Sequence, residues 1–198
     1  DEPWRREGEI ACLRSGAVRP SPFVNASRAT LGGPGACGAV QPLEMSAALG
    51  GRVVLKPAAL VQCAMVPAVD RWTAEVVMPA ARRFYGMPVT ALEVMASYSC
   101  RPRNNVHGGK LSEHGHANAI DIGAFTLADG HTVSVKSGWG GDPADRAFLR
   151  AVRAGACGYF TTVLGPGSDR NHADHFVGQV EKDLKEHGDK VSPADKTA

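Results

Sequence analysis

No apolar run in this chain approaches the roughly 20 residues that a bilayer-spanning helix needs. The net charge is only +2, with 22 Lys and Arg against 20 Asp and Glu. No basic run is dense enough to track a nucleic-acid backbone. The cysteines Cys12, Cys37, Cys63, Cys100 and Cys157 contain no C-x-x-C pair, which argues against zinc ribbons and thioredoxin-like motifs. There is no G-x-S-x-G elbow of a serine hydrolase, and the glycines at 32–35 lack the strand and helix of a phosphate loop. Internal repeats and low-complexity blocks are missing as well. No signal peptide is seen either: the chain begins at Asp1 rather than Met and reads as a mature or trimmed chain, with removal of an export signal as one expectation.

What is present describes an ordinary globular chain. With 198 residues, 43% hydrophobic and 21% charged, it is long enough to bury a sizeable core in one domain. That domain is expected over residues 1–180, with the charged stretch 181–198 as a flexible tail. The wide cysteine spacing suits long-range disulfides in an oxidising compartment. The predicted pairs are Cys12 with Cys37 and Cys100 with Cys157, leaving Cys63, in an apolar helical run, as a buried free thiol. The competing reading is five reduced thiols in a cytosolic protein.

Local patterns predict the elements. Residues 1–25 are polar and broken by Pro20 and Pro22, which reads as loop. A short strand is expected near 40–47. From Pro57 onward Leu60, Ala64, Ala68, Trp72 and Val76 recur at four-residue spacing, predicting a long helix kinked or split by Pro67 and Pro79. Residues 90–99 read as a strand that carries Tyr98 and Arg101 to its C-terminal end, followed by a polar loop over 102–113. Residues 118–125 alternate, with Ala119, Asp121 and Gly123 on one face. Asp129-Gly130 turns the chain into a strand at 131–136. Asp142 caps a helix with Pro143 at its first position, and strands follow at 161–164 and 175–180.

The chemistry lies in two clusters. The first, residues 97–125, gathers Tyr98, Arg101, Asn104, Ser112, His114 and Asp121. The second is Asn171-His172-Ala173-Asp174-His175. Asp121 faces inward beside alanine and glycine, where a carboxylate is costly without a partner. His114, in the loop leading to the same strand, can reach the same side. Imidazole and carboxylate are the donors Zn²⁺ accepts, so the two clusters are expected to meet around a metal ion. The plain alternative is that Asp121 pairs with an arginine and His114 is a surface loop residue. His116 is expected to be exposed, His107 and His131 to be solvated, and His187 to belong to the tail.

Ser112-Glu113-His114-Gly115-His116-Ala117-Asn118-Ala119-Ile120-Asp121 resembles the S-x-H-x-x-G-x-A-x-D signature of zinc D-alanyl-D-alanine carboxypeptidases and dipeptidases, with Ala117 where the signature has Gly. More broadly, SYSCRPRN, SEH…NAIDI, GAC and VLGPGSDRNHADHF, in that order, resemble the extensin-like C-terminal domain family. The resemblance implies an α+β fold of the hedgehog/DD-peptidase type, a small antiparallel sheet flanked by helices. It implies a zinc metallopeptidase (a D,D-carboxypeptidase or endopeptidase) acting on peptidoglycan in the periplasm or outside the cell. Within it, His114 and Asp121 match zinc ligands, and Arg101 matches the arginine that binds substrate or oxyanion. Asp174 matches the general base, and His172 and His175 the flanking histidines. Tyr98, Asn104 and Ser112 are the candidate substrate-binding side chains.

One position departs from the pattern. The family motif ends H-x-D-H-F-H and its last His is the third zinc ligand, where this chain has Val177. Valine cannot coordinate. Three explanations stand: His175 substitutes as the third ligand; the chain is a wall-binding protein without turnover; or the residue has been altered to disable it.

Overall fold

The computed structural model describes residues 3–27, 31, 37–103, 107–168 and 175–179. The expected flexible tail at 181–198 lies outside them. An eight-stranded sheet organises the chain: β1 (Val24–Ala26), β2 (Leu43–Ala48), β3 (Val53–Val61), β4 (Val89–Ala96), β5 (Ala119–Leu127), β6 (Thr132–Ser134), β7 (Thr162–Leu164) and β8 (Phe176–Gln179). Their order is β1-β2-β3-β4-β5-β8-β7, with β6 also paired to β5. The α+β class stands, but the small antiparallel sheet is corrected. The sheet is large, and β3 and β4 run parallel through Val54, Leu55 and Lys56.

The helices are α1 (Pro3–Ser15), α2 (Met65–Trp72), α3 (Met78–Tyr85), the short α4 (Val135–Gly138) and α5 (Pro143–Ala156). Asp142 caps α5 as expected, accepting the Ala144 N–H at 2.8 Å. Packing between α2, α5 and the sheet builds the core. The Trp72 ring lies 6.1 Å from that of Phe125 and 5.9 Å from that of Phe160, while Phe125 and Phe148 meet edge to face at 5.2 Å. Buried Trp72 also donates its indole N–H to the Val152 carbonyl at 3.0 Å, so the amphipathic ring loses no hydrogen bond on burial.

Two elements differ from the sequence expectation. The stretch from Pro57 opens as strand, not helix, because Ala59, Leu60 and Val61 pair with β2. Pro57 is tolerated there for want of pairing around it. The ladder to β4 stops at Lys56, and that to β2 skips from Val54 to Ala59, so its missing N–H leaves no gap. The helix starts only at Met65, which places Pro67 in its first turn. Pro79 would crowd the carbonyl four residues back. A π turn over Thr73–Val77 precedes it instead, with the Met78 N–H reaching the Thr73 carbonyl.

The second difference is α1, where a loop was expected. Its anchors are polar and share one face at i, i+4 and i+7. Arg5 grips Glu113, Glu9 accepts the Val40 and Gln41 N–H groups at 2.7 and 3.0 Å, and Cys12 is bonded to Cys63. The predicted disulfides are corrected accordingly: the pairs are Cys12–Cys63 and Cys37–Cys100, with Cys157 free and exposed. Cys63 is fully buried, as expected, but it faces the docked helix and bonds to it. Cys157 sits in the exposed C-cap of α5.

Candidate active site

The site grows from the turn that leads into β5. Residues Glu113–His116 form one 3-10 turn. Ser112 caps it, its hydroxyl accepting the His114 N–H at 3.4 Å, and Ala117 ends it in the left-handed region at φ 53°. Backbone bonds hold the turn from two sides: Ser99 N–H donates to His114 O at 3.1 Å, and Gly38 N–H to Gly115 O at 2.8 Å. The disulfide Cys37–Cys100 joins those two flanking segments. A side chain at Gly115 would be tightly placed, since a Cβ there would lie 3.0 Å from the Leu111 side chain and 3.3 Å from the Cys37 sulfur, which would have to give way.

His114 is thereby buried, at 3% exposure, and faces Asp121 on β5, at 5%. Its Nδ1 lies 2.7 Å from the Ser97 carbonyl. A carbonyl only accepts, so Nδ1 carries the proton, and in the neutral ring Nε2 then presents its lone pair. That Nε2 stands 3.0 Å from Asp121 Oδ1, yet Oδ1 is buried and accepts no hydrogen bond. With the ring neutral, two acceptors face each other across this contact. His175, just before β8, brings its Nε2 to 3.6 Å from Asp121 Oδ2. Both the arginine pairing of Asp121 and the surface placement of His114 are thus replaced: among the described residues Asp121 faces two histidines, and His114 is interior.

This donor set fits a divalent metal in kind. It has a neutral imidazole whose tautomer is held by a backbone carbonyl, a carboxylate with an orphaned buried oxygen, and a second imidazole nearby. The positions fit less well. The histidines address opposite oxygens of Asp121, and among the described residues no group of three or more His, Cys, Asp or Glu side chains is arranged to hold an ion.

The antiparallel ladder pairs Asp121 with Val177, so both side chains leave the sheet on one face. Val177 is 1% exposed and fills the place from which a histidine would reach the same carboxylate. Arg101 and Tyr98 lie beyond the end of β4, both partly buried. The Arg101 carbonyl accepts the Ser112 N–H at 3.0 Å, which ties it to the turn. Its guanidinium makes no hydrogen bond or ion pair to His114 or Asp121 among the described residues. His116 is partly buried, not exposed, while His107 is exposed, as expected. His131 is half exposed and stands 3.6 Å from Asp145. Asn104, His172, Asp174 and His187 lie outside the described residues.

Sequence reasoning passed over four residues at this site: Ser97, whose carbonyl orients His114, and Glu113, Asn118 and Gln62, where Gln62 donates to the Asn118 side chain and Asn118 to Glu113. The signal for Glu113 was its place between Ser112 and His114, inside a segment too short to have a solvent face of its own.

No curated protein and no solved structure matches the chain. A family model does match, over residues 11–187. Since this span includes both clusters and all eight described strands, the chain belongs to the extensin-like protein C-terminus family.

Proposed function

We propose that this chain is a zinc-dependent hydrolase of peptidoglycan amide bonds, acting on D-alanine-containing stem peptides or crosslinks outside the cytoplasm. The observation that carries the reading is the acceptor–acceptor contact of His114 Nε2 with Asp121 Oδ1 at 3.0 Å. Such a contact is repulsive unless a proton or a cation lies between the two atoms. The resemblance of residues 112–121 to zinc D-alanyl-D-alanine peptidases supplies the reaction class. The disulfides Cys12–Cys63 and Cys37–Cys100 suit the oxidising compartment where murein is found.

His114, Asp121 and His175 would hold the ion, which when bound supplies Lewis acidity toward an amide carbonyl and its attacking water. Arg101, with no acidic partner among the described residues, would anchor a substrate carboxylate or a developing oxyanion. Asp174 would take a proton from the water and pass it to the leaving amine nitrogen. His172 would orient the reacting groups, and Tyr98, Asn104 and Ser112 the stem peptide. Ser112 also caps the His114 turn, so its substitution would disturb both.

A second reading is favoured by Val177, which is buried opposite Asp121. In that reading the chain is a peptidoglycan-binding protein of the same fold without turnover. Metal analysis after zinc equilibration, combined with digestion of purified murein, decides between them. The enzyme reading expects about one zinc per chain and release of D-alanine or shortened peptides; a chain that takes up no zinc sinks it. The binding reading expects co-sedimentation with insoluble peptidoglycan and no product. Val177→His is then expected to gain zinc affinity, by at least the roughly 10–100-fold attached even to outer-shell partners.

A further inference from the structure

Glu113 is a carboxylate with 1% exposure, one residue before His114. Arg5 reaches it with both terminal guanidinium nitrogens, Nη1 to Oε2 at 2.9 Å and Nη2 to Oε1 at 3.1 Å. Arg103 donates from Nη2 to Oε1 at 3.3 Å, and Asn118 from Nδ2 to Oε2 at 2.9 Å. The N-terminal helix, the segment after β4 and the start of β5 therefore converge on one side chain. Asn118 in turn accepts from the Gln62 side chain at the end of β3, and the Gln62 N–H donates to the Ala117 carbonyl at 2.8 Å.

Burying an ion pair contributes little net stability over apolar residues of equal volume, because desolvation offsets the attraction. Apolar packing could therefore join these segments as firmly. It could not fix their direction, whereas a bidentate guanidinium–carboxylate pair demands both distance and angle. The neighbour whose direction matters is His114, whose ring must keep Nδ1 on Ser97 and turn Nε2 toward Asp121.

We propose that Glu113 is a positioning residue. With Arg5, Arg103 and Asn118 it locks the Glu113–His116 turn so that the His114 ring is held in one tautomer and one orientation. Arg5 makes α1 part of the scaffold of the site. The proposal rests on the reading of His114 as a metal ligand.

The test uses the whole chain and two readouts. Glu113→Gln keeps the side chain's shape and removes its charge; Phe148→Leu, on the buried face of α5, controls for lowered stability. In zinc-free protein, ring nitrogen NMR is expected to show His114 as a single Nδ1–H tautomer in the parent chain and in Phe148→Leu, and as a mixture in Glu113→Gln. In a zinc titration at a temperature where all three are folded, Glu113→Gln is expected to bind about 10–100-fold more weakly, and Phe148→Leu as the parent does. An unchanged tautomer in folded Glu113→Gln overturns the proposal whether or not zinc binds. A tautomer mixture in Glu113→Gln with no zinc uptake by the parent upholds the positioning role and overturns the ligand reading instead. Should Glu113→Gln fail to fold, Arg103→Gln, which removes a 56% exposed arm of the same cluster, carries the same comparison with a smaller shift.

Discussion

Single residues decide whether this site can work. Ala117 adopts φ 53° where the peptidase signature has Gly. A left-handed position favours glycine because it has no Cβ to clash with the backbone, so the one mild departure in that motif has a backbone reading. Asp121 makes a sharper prediction. Its Oδ1 is a buried acceptor without a hydrogen-bond partner, an arrangement that costs stability unless a proton or an ion lies between it and His114 Nε2. In zinc-free protein Asp121→Asn replaces that oxygen with an amide able to donate to His114 Nε2. The variant is expected to be more stable by about 1 kcal/mol, a rise of roughly 2–4 °C in Tm, while losing zinc binding. A lower Tm for the zinc-free variant would mean that Asp121 is a structural carboxylate.

At the scale of elements, polar anchors do work that apolar stripes usually do. The helix α1 buries only Glu9 among its residues, and it is held by Arg5, Glu9 and Cys12 along one face. The α3–α5 contact has a polar anchor too: Tyr85 donates its hydroxyl to Asp145 Oδ1 at 2.6 Å and packs on Phe148 at 5.5 Å. Burial, first, and then the hydrogen bond to Asp145 and its negative charge push the Tyr85 hydroxyl well above its ordinary range. The folded state therefore keeps this proton after the unfolded chain has released its own. The contribution is complete below the unfolded value of about 10 and declines as pH rises above it. Urea melts across that range should show a steeper alkaline fall for the parent chain than for Tyr85→Phe. Parallel alkaline limbs would remove Tyr85 as the cause.

Across the whole molecule, the disulfides connect what the sheet leaves apart. Cys12–Cys63 closes a loop of sequence separation 51 between α1 and the end of β3, and Cys37–Cys100 closes one of 63 beside the His114 turn. Each constrains the unfolded chain, and a bond of this span contributes about 2–4 kcal/mol. The double variant Cys12→Ser/Cys63→Ser is expected to lose stability of that order, whereas Cys157→Ser, at an exposed thiol, stays within about 0.5 kcal/mol. Peptide mapping without reduction should recover these two pairs and a single alkylated thiol at Cys157. Recovery of Cys12 bonded to Cys37 would contradict the docking of α1.

Local chemistry alone was enough to locate much of this protein. The strands β4, β5, β7 and β8 and the capped helix α5 were legible because their patterns obey the periods of two and 3.6 that isolated segments express. His114 and Asp121 were legible because a histidine and an inward carboxylate have few reasons to share a strand entry. Three things required the folded chain. Helix α1 was illegible because its contacts are charges and a sulfur bridge, which carry no apolar period. The second half of β3 reads as helix locally and becomes strand only because β2 pairs with it. The role of Glu113 depends on Arg5, more than a hundred residues away. Periodicity records which face of an element is buried; which partner covers it is settled only when distant segments compete for the same surface.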